Sequence, residues 1–354
     1  MICYIIIGSI AKTGGTERAV VNLSKILDKI GYNVTILSLC TDVNNGSCYP
    51  LPLSVDIVHL QLQEIPNKLY LKLKWYMCLT DRLFRIVESN SIVIGTGHNI
   101  NTILPFLRFK HNKVIGCEHI QKETIPVMSR LLMRIFYPRL DSLVVLSEKA
   151  KEKYLHYNNR LCVIPNTLPF TVNLSQNSTH KRIIMVGRID KNKGYDRAIA
   201  IFEFVEKLNI GWQIDIYGDG EEKKNILKML EKRDIRNVAI HYPVNDIENK
   251  YKSSDIMIMT SHSEAMPMVI LEANACGVPV IAYSNEGTEE VIVDGETGFV
   301  ITDGDINEFC TKLKSLLTDS ALRYYMAKKA IKHSKKYAFP SISHKWQVLL
   351  QECV

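Results

Sequence analysis

The residues best suited to chemistry are two glutamates, Glu264 and Glu272, in the segment 261–300. Pro267 suits the first turn of a helix that would end near Gly277. The first N–H groups of a helix lack intrahelical partners and favour an anion such as phosphate. This predicted phosphate site comprises Ala265, Met266, Pro267, Met268 and Val269. Carboxylates on both sides of it suit recognition of hydroxyl groups on either side of a diphosphate, although two solvated surface glutamates are the alternative.

Two cations, Arg188 and Lys193, follow the predicted strand Arg182–Val186. Both could neutralise a departing diphosphate as negative charge develops on it, which stabilises the transition state. Their alternative is a solvated loop.

A glycine pair, Gly14 and Gly15, follows the predicted strand Ile2–Ile7. Glycines allow backbone N–H groups to approach a phosphate closely. The segment has neither the G-x-G-x-x-G nucleotide fingerprint nor a P-loop, which argues against a nicotinamide dehydrogenase. A tight strand-to-helix turn is its other interpretation.

Two histidines follow predicted strands of the first half, His98 and His119. A lone histidine near a strand end is more often structural; the functional alternative makes His119 the candidate for a role near a reacting group, and His98 could contact a second substrate. Glu118 is a possible carboxylate on the side of that second substrate. Thr16 and Arg18 are also expected to contact the second substrate.

Metal binding is not expected. The nine cysteines are scattered without a C-x-x-C pair, which disfavours a zinc site or a disulfide framework. Asp303 and Asp305 could be mistaken for a D-x-D metal motif, but their position before a predicted helix favours a turn and an N-cap.

Alternating strands and helices occur in two series, which predicts two doubly wound α/β domains. The first would span residues 1–165, a polar linker 166–180, and the second 181–339. The 354-residue length agrees with two domains. Ligands bind beyond the carboxyl ends of parallel strands, so a cleft between domains is expected.

Charge is unevenly distributed along the chain. Residues 1–165 contain 20 Lys and Arg against 12 Asp and Glu, whereas the whole chain has a net charge of +7. Basic residues between 68 and 139 alternate with apolar and aromatic ones, which suits an anionic membrane surface; a solvated amphipathic helix is the alternative. No nucleic-acid module is visible.

We also expect no signal peptide or membrane span, and a cytoplasmic protein, peripheral at most on the inner membrane.

The order of these segments resembles family-4 glycosyltransferases. The E-x7-E pattern at Glu264 and Glu272 precedes the A-C-G-V-P-V-I-A and D-G-E-T-G-F segments typical of that family. Earlier segments also resemble the family in order: TGGTERA at 13–19, GCEH at 116–119, IPNT at 164–167 and VGRIDKNKGYD at 186–196.

The resemblance implies a GT-B fold and retaining, metal-independent sugar transfer from a nucleotide-sugar, with UDP-sugar as the first expectation. It implies that Arg188 and Lys193 clamp the diphosphate, Glu264 contacts the sugar and Glu272 the ribose. Tyr242 and Val244 would adjoin the base. The last helix, about 340–354, would complete the first domain, which would bind the acceptor.

The acceptor would be a lipid-linked saccharide in bacterial surface-polysaccharide assembly, such as capsule or O-antigen. No enzyme nucleophile is apparent, and the leaving phosphate would help to take the acceptor proton. A non-catalytic nucleotide-sugar binding protein and a GT-B-type nucleotide-sugar epimerase are the alternatives.

Overall fold

The computed structural model describes residues 1–12, 14–40, 46–63, 65–66, 68–170 and 180–353. Contacts divide the chain into two compact units. Unit 1 contains Met1–Thr167 together with the C-terminal segment from Phe339, and unit 2 contains Leu168–Ala338. Thr13, the first residue of the predicted glycine segment, lies outside the described residues. Residues 171–179, which make up most of the expected linker, also lie outside them.

Unit 1 contains a parallel sheet whose described strands follow the order β3-β2-β1-β4-β5-β6-β7. The strands are β1 Ile2–Ile7, β2 Asn33–Ser38, β3 Asp56–His59, β4 Ile92–Thr96, β5 Lys113–Cys117, β6 Ser142–Val145 and β7 Leu161–Val163. The helices are α1 Gly15–Lys29, α2 Leu69–Ile86, α3 His98–Asn101, α4 Val127–Phe136 and α5 Glu148–Tyr154. The C-terminal helix, Phe339–Cys353, packs against α1 on one face of this sheet.

Unit 2 contains a second parallel sheet, with the described order β10-β9-β8-β11-β12-β13. Its strands are β8 Arg182–Val186, β9 Gln213–Tyr217, β10 Val238–His241, β11 Ile256–Met259, β12 Val280–Tyr283 and β13 Gly298–Ile301. Its helices are α6 Tyr195–Leu208, α7 Lys223–Lys232, α8 Ile247–Lys252, α9 Met268–Ala275, α10 Glu286–Val291, α11 Ile306–Thr318 and α12 Ser320–Ser334. Continuing this order, Phe339–Cys353 of unit 1 is α13.

Apolar strands explain both layered cores. β1 is buried along Cys3–Ile7, and its alternate side chains enter two clusters on opposite faces of the sheet. Near-continuous apolar runs of this kind are expected where helices cover both faces of a parallel sheet. The doubly wound α/β fold expected from the sequence is confirmed in both units.

Candidate functional site

The central contact of the candidate donor site is an ion pair between Lys193 and Glu264. The Lys193 Nζ lies 2.6 Å from Glu264 Oε1, and only 23% and 13% of the two side chains are exposed. Lys193 follows β8 and Glu264 follows β11, which are neighbours in the sheet. The carboxyl ends of the two strands therefore bring together residues 71 positions apart in sequence.

Backbone contacts hold the two loops in place. The Asn192 amide donates to the Ser263 carbonyl at 3.0 Å, and the His262 N–H donates to the Asn192 carbonyl at 2.8 Å. The hydroxyl of Thr260 donates to the Gly194 carbonyl at 2.9 Å. A Cβ on Gly194 would lie 2.3 Å from the Thr260 carbonyl oxygen, so this close approach requires glycine.

Arg197 adds a side-chain connection that the sequence analysis did not identify. Its guanidinium lies 4.1 Å from the centre of the Tyr283 ring, donates to His262 Nδ1 at 2.9 Å and pairs with Asp303 at 2.5 Å. It therefore ties the first turn of α6 to the loop that precedes Glu264. No local motif marks Arg197, because its partners are 65 to 106 residues away.

The predicted D-x-D turn forms as expected. Asp305 accepts a hydrogen bond from the Glu308 N–H at 2.9 Å and caps α11. Asp303 engages Arg197. Both carboxylates thus have structural partners.

The predicted phosphate site lies at the start of α9, beside Glu264. Pro267 is the N-cap residue, and the helix runs from Met268 to Ala275. A Cβ on Gly287 would lie 2.5 Å from the Glu264 carbonyl oxygen, so this glycine lets α10 approach the turn. The backbone N–H groups of Met268 and Val269 occupy the first turn, where an anion is favoured.

The other predicted donor residues occupy different environments. Arg188 is 69% exposed in its side chain and pairs with Asp190 at 3.1 Å. Glu272 is fully buried and accepts a hydrogen bond from the Tyr251 hydroxyl at 3.2 Å. Tyr242 is exposed, with Lys223 Nζ 3.8 Å from its ring centre, and Val244 is half-buried. The ribose and base contacts assigned to these residues stay predictions.

The candidate residues of unit 1 share the carboxyl edge of its sheet. Gly14 and Gly15 follow β1, His98 follows β4, and His119 follows β5; these strands are consecutive in the sheet. A Cβ on Gly14 would lie 2.4 Å from the Glu17 carboxylate, so the glycine makes room for that side chain. Phosphate binding at the glycine pair stays a prediction.

Arg18 and Thr16 belong to the first turn of α1. The Arg18 guanidinium lies 4.7 Å from the centre of the Tyr49 ring, and Thr16 is half-buried. Their assignment to the acceptor also stays a prediction.

The two histidines are held as neutral imidazoles. Burial and, to a smaller extent, the nearby Lys72 charge lower the pKa of His98 to about 4. Burial alone lowers the pKa of His119 to about 4. His119 lines a cavity of about 30 Å³ together with residues of α1 and α13, and within the described residues its buried Nδ1 has no hydrogen-bond partner. Neutral imidazoles can donate and accept hydrogen bonds without adding charge.

Glu118 occupies a place different from the one considered for it. Only 3% of the residue is exposed, and its carboxylate bonds Asn101 and Tyr137 inside unit 1. In this structure the carboxylate therefore does not face an acceptor. The sequence analysis missed both partners, since no spacing rule connects them.

Comparisons with known proteins identify the family of this chain. Residues 13–169 match the model of Glycosyltransferase Family 4, and residues 171–333 match that of Glycosyl transferases group 1. The chain is 30% identical over 368 residues to the amylovoran biosynthesis glycosyltransferase AmsD of Erwinia amylovora, covering 98% of each chain.

Two further similarities extend over nearly the whole chain. A Campylobacter jejuni enzyme, an α-1,4-N-acetyl-D-galactosaminyltransferase named for an undecaprenol-diphosphate-linked saccharide, is 24% identical over 96% of both chains. The crystal structure of the pneumococcal O-GlcNAc transferase GtfA in complex with UDP and GlcNAc superposes with a TM-score of 0.83 at 12% identity, covering 100% of this chain and 99% of that one. The chain therefore belongs to the family-4 glycosyltransferases of the GT-B fold, of the kind used in bacterial surface-polysaccharide assembly.

Proposed function

We propose that this glycosyltransferase moves a hexose or N-acetylhexosamine from a UDP-sugar to a lipid-linked saccharide, with retention at the anomeric carbon. The observation that carries the proposal is the largely buried Lys193–Glu264 pair beside the start of α9. A cation, a carboxylate and the first N–H groups of a helix at one sheet edge suit a sugar diphosphate. Each group has a different part of that donor to bind.

The cations and the helix start would bind the diphosphate. Lys193 and Arg188 would neutralise charge that develops on it as the bond to the sugar breaks. Glu264 would accept hydrogen bonds from sugar hydroxyls, and this requires Lys193 to share its ammonium between the carboxylate and the donor. Glu272 would bind the ribose hydroxyls after the hydrogen bond from the Tyr251 hydroxyl to its carboxylate breaks.

Retention would follow a route without an enzyme nucleophile. The acceptor oxygen would form its bond to the anomeric carbon on the face that the leaving phosphate vacates. The anomeric carbon–oxygen bond to the phosphate breaks, and the acceptor proton passes to a phosphate oxygen. His119 and His98, held neutral, would orient hydroxyl groups of the sugar and the acceptor without taking that proton. We propose that no metal ion is required.

The choice of UDP and of a lipid-linked acceptor is supported by similar proteins. Structural neighbours contain UDP, among them GtfA with UDP and GlcNAc and HepE of Anabaena with UDP and glucose. The Campylobacter jejuni relative is named for an acceptor linked to undecaprenol diphosphate. Transfer to such an acceptor would take place at the cytoplasmic face of the inner membrane.

An exposed apolar surface on α4 supports attachment to that membrane. Among the described residues, no helix is both long and apolar enough to cross a bilayer. On α4, however, the exposed apolar residues are Val127, Met128, Leu131, Leu132 and Ile135. Arg134 is exposed on the same helix, and Phe109, 80% exposed, follows β4 in the same unit. Apolar side chains beside cations suit an interface with anionic lipid.

A vesicle-binding experiment tests this attachment. We expect sedimentation with vesicles containing anionic phosphatidylglycerol, weaker sedimentation with phosphatidylcholine alone, and loss of binding in the Leu131→Ser/Ile135→Ser double variant. The matched control is Leu53→Ser/Leu155→Ser, which removes two exposed leucines of the same unit outside α4. Equal binding by both double variants would contradict the assignment of α4.

A product analysis tests the transfer itself. The protein is incubated with a UDP-sugar, a lipid-linked saccharide extract and EDTA, and the new linkage is analysed by proton NMR. An anomeric configuration equal to that of the donor supports retention. An inverted linkage, or product that forms only without EDTA, would contradict the route above, while an altered free UDP-sugar would favour an epimerase.

A further inference from the structure

A buried polar cluster in unit 1 lies directly beside the two candidate histidines. Glu118 Oε1 accepts a hydrogen bond from the Asn101 amide at 2.7 Å and another from the Tyr137 hydroxyl. Among the described residues, Glu118 Oε2 is buried without a hydrogen-bond partner. Burial of a carboxyl group costs free energy, and here one of its oxygens has no hydrogen bond to offset that cost. The presence of Glu118 at this position therefore calls for an explanation.

The cluster joins the two segments that carry the histidines. Asn101 ends the four-residue helix α3 that His98 begins, and Glu118 immediately precedes His119. The Asn101 amide also donates to the Cys117 carbonyl at 3.0 Å, and the Gly97 N–H donates to that same carbonyl at 2.8 Å. The carboxylate is therefore part of the connection between the ends of β4 and β5.

The sheet below the cluster is shaped to receive Asn101. Gly95 of β4 and Gly116 of β5 are register partners. A Cβ on Gly95 would lie 2.5 Å from Asn101 Oδ1, and a Cβ on Gly116 would lie 3.2 Å from the Asn101 side-chain carbon Cγ. Two adjacent glycines thus leave the space in which Asn101 reaches Glu118.

The titratable side chains that interact with Glu118 include a tyrosine and a cysteine. Tyr137 follows α4, and its pKa lies well above the usual value because of burial and the Glu118 charge. The side chain of Tyr154 is close enough to Tyr137 to raise that pKa as well. Burial and the Glu118 charge also raise the pKa of Cys117 on β5. No Lys or Arg within the described residues forms an ion pair with Glu118. Burial raises the pKa of Glu118 to about 7, against the lowering effect of its two hydrogen-bond donors.

We propose that Glu118 is a positioning residue of the transfer reaction, whose ionised carboxylate holds Asn101 and Tyr137 and thereby keeps His98 and His119 in one arrangement. This rests on the proposed function, in which both histidines orient substrate hydroxyls. Protonation makes the carboxyl a weaker acceptor, so the arrangement loosens as the pH falls through 7. Burial lowers the pKa of both histidines to about 4, so their protonation does not change the rate near pH 7.

The test compares pH profiles of kcat in three variants. Glu118→Gln should lower kcat on the order of 10- to 100-fold, because small misplacements of orienting groups are costly. It should also remove the acid limb near pH 7 while KM for the donor stays unchanged. Tyr137→Phe removes a hydrogen bond that lowers the Glu118 pKa, so the acid limb should move to higher pH. The control Glu123→Gln changes an exposed glutamate of the same segment and should match the wild type.

A second readout does not depend on turnover. Hydrogen exchange of peptides covering 96–102 and 117–121 should be faster in Glu118→Gln than in the control. An unchanged acid limb in Tyr137→Phe, or wild-type kcat and exchange in Glu118→Gln, would overturn the proposal. If Glu118→Gln does not fold, Tyr137→Phe decides alone. Failure of the proposed function would look different: the wild type would transfer no sugar, while the exchange experiment would still report on the cluster.

Discussion

The Lys193–Glu264 pair differs from a surface salt bridge because both side chains are largely withdrawn from water. Exposed pairs contribute little to stability, since water screens them. The charges of a largely buried pair are already desolvated in the folded protein. They therefore interact strongly with any ligand that reaches them. A diphosphate beside Lys193 would gain an oriented cation whose position Glu264 has fixed in advance. The pair is better explained by donor binding than by stability.

Removal of this cation should therefore lower turnover. Lys193→Ala should lower kcat/KM by about 100-fold or more, the usual effect of losing one oriented electrostatic group. The matched control is Lys191→Ala, an exposed lysine of the same turn, which should retain wild-type turnover. Steady-state release of nucleotide measures both. Equal losses in the two variants would mean that the turn as a whole, and not the buried ammonium, is responsible.

At the scale of elements, β4 and β5 pack tightly under Asn101. Gly95→Ala would place a Cβ 2.5 Å from Asn101 Oδ1 and 2.8 Å from Leu104 Cδ1. Overpacking of this kind costs about 1–3 kcal/mol. The control Gly8→Ala follows β1 and meets nothing within 4 Å, so its change in unfolding free energy should stay within about 0.5 kcal/mol. Urea unfolding measures the stability of both variants. An unaltered unfolding midpoint in Gly95→Ala would contradict this packing argument.

Many helices and strands were predictable from the sequence because apolar runs bounded by turn residues indicate parallel strands. β1 and β8 have the predicted bounds, Ile2–Ile7 and Arg182–Val186. The strands β3 and β13 were not predicted. β3 is Asp56–His59, four residues of which none is fully buried, and β13 begins at a glycine, so neither has a strong strand pattern.

The site was predictable only in part. Glu264 and Lys193 belong to recognisable local motifs, and the sheet order brings them together. Arg197 and Asn101 belong to no motif; their roles arise from contacts with residues that are distant in sequence. Periodicity indicates which side chains are buried, but it does not identify the partner that a buried polar group meets.

At the scale of the molecule, three histidines make stability depend on pH. Burial lowers the pKa values of His98, His119 and His333 to about 4, from 6.5. Between those values the unfolded chain binds more protons, so their stabilising effect is present above pH 6.5 and is lost as the pH falls towards 4. Glu118 acts oppositely, since its raised pKa favours the folded state below 4.5 and that effect is lost through pH 7. Three groups outweigh one, so acidification should destabilise the protein.

Urea unfolding at pH 7 and pH 5 measures this dependence. The wild type should be less stable at pH 5, and His333→Gln should lose less stability over that interval because one buried imidazole no longer takes up a proton on unfolding. His180→Gln, which changes an exposed histidine of the same unit, should behave as the wild type. Identical pH dependence in the two variants would mean that His333 is not held neutral by the fold.

Nucleotide release most directly measures the proposed transfer of a sugar from a UDP-sugar to an acceptor. Wild-type protein is given UDP-, GDP- and ADP-sugars in EDTA, with and without a lipid-linked saccharide extract. We predict UDP release that depends on the extract and is lost in Lys193→Ala. UDP binding by calorimetry without release from any donor, even with a competent extract, would contradict the claim and indicate a nucleotide-sugar binding protein. Neither release nor binding would also contradict the donor site assigned to Lys193 and Glu264.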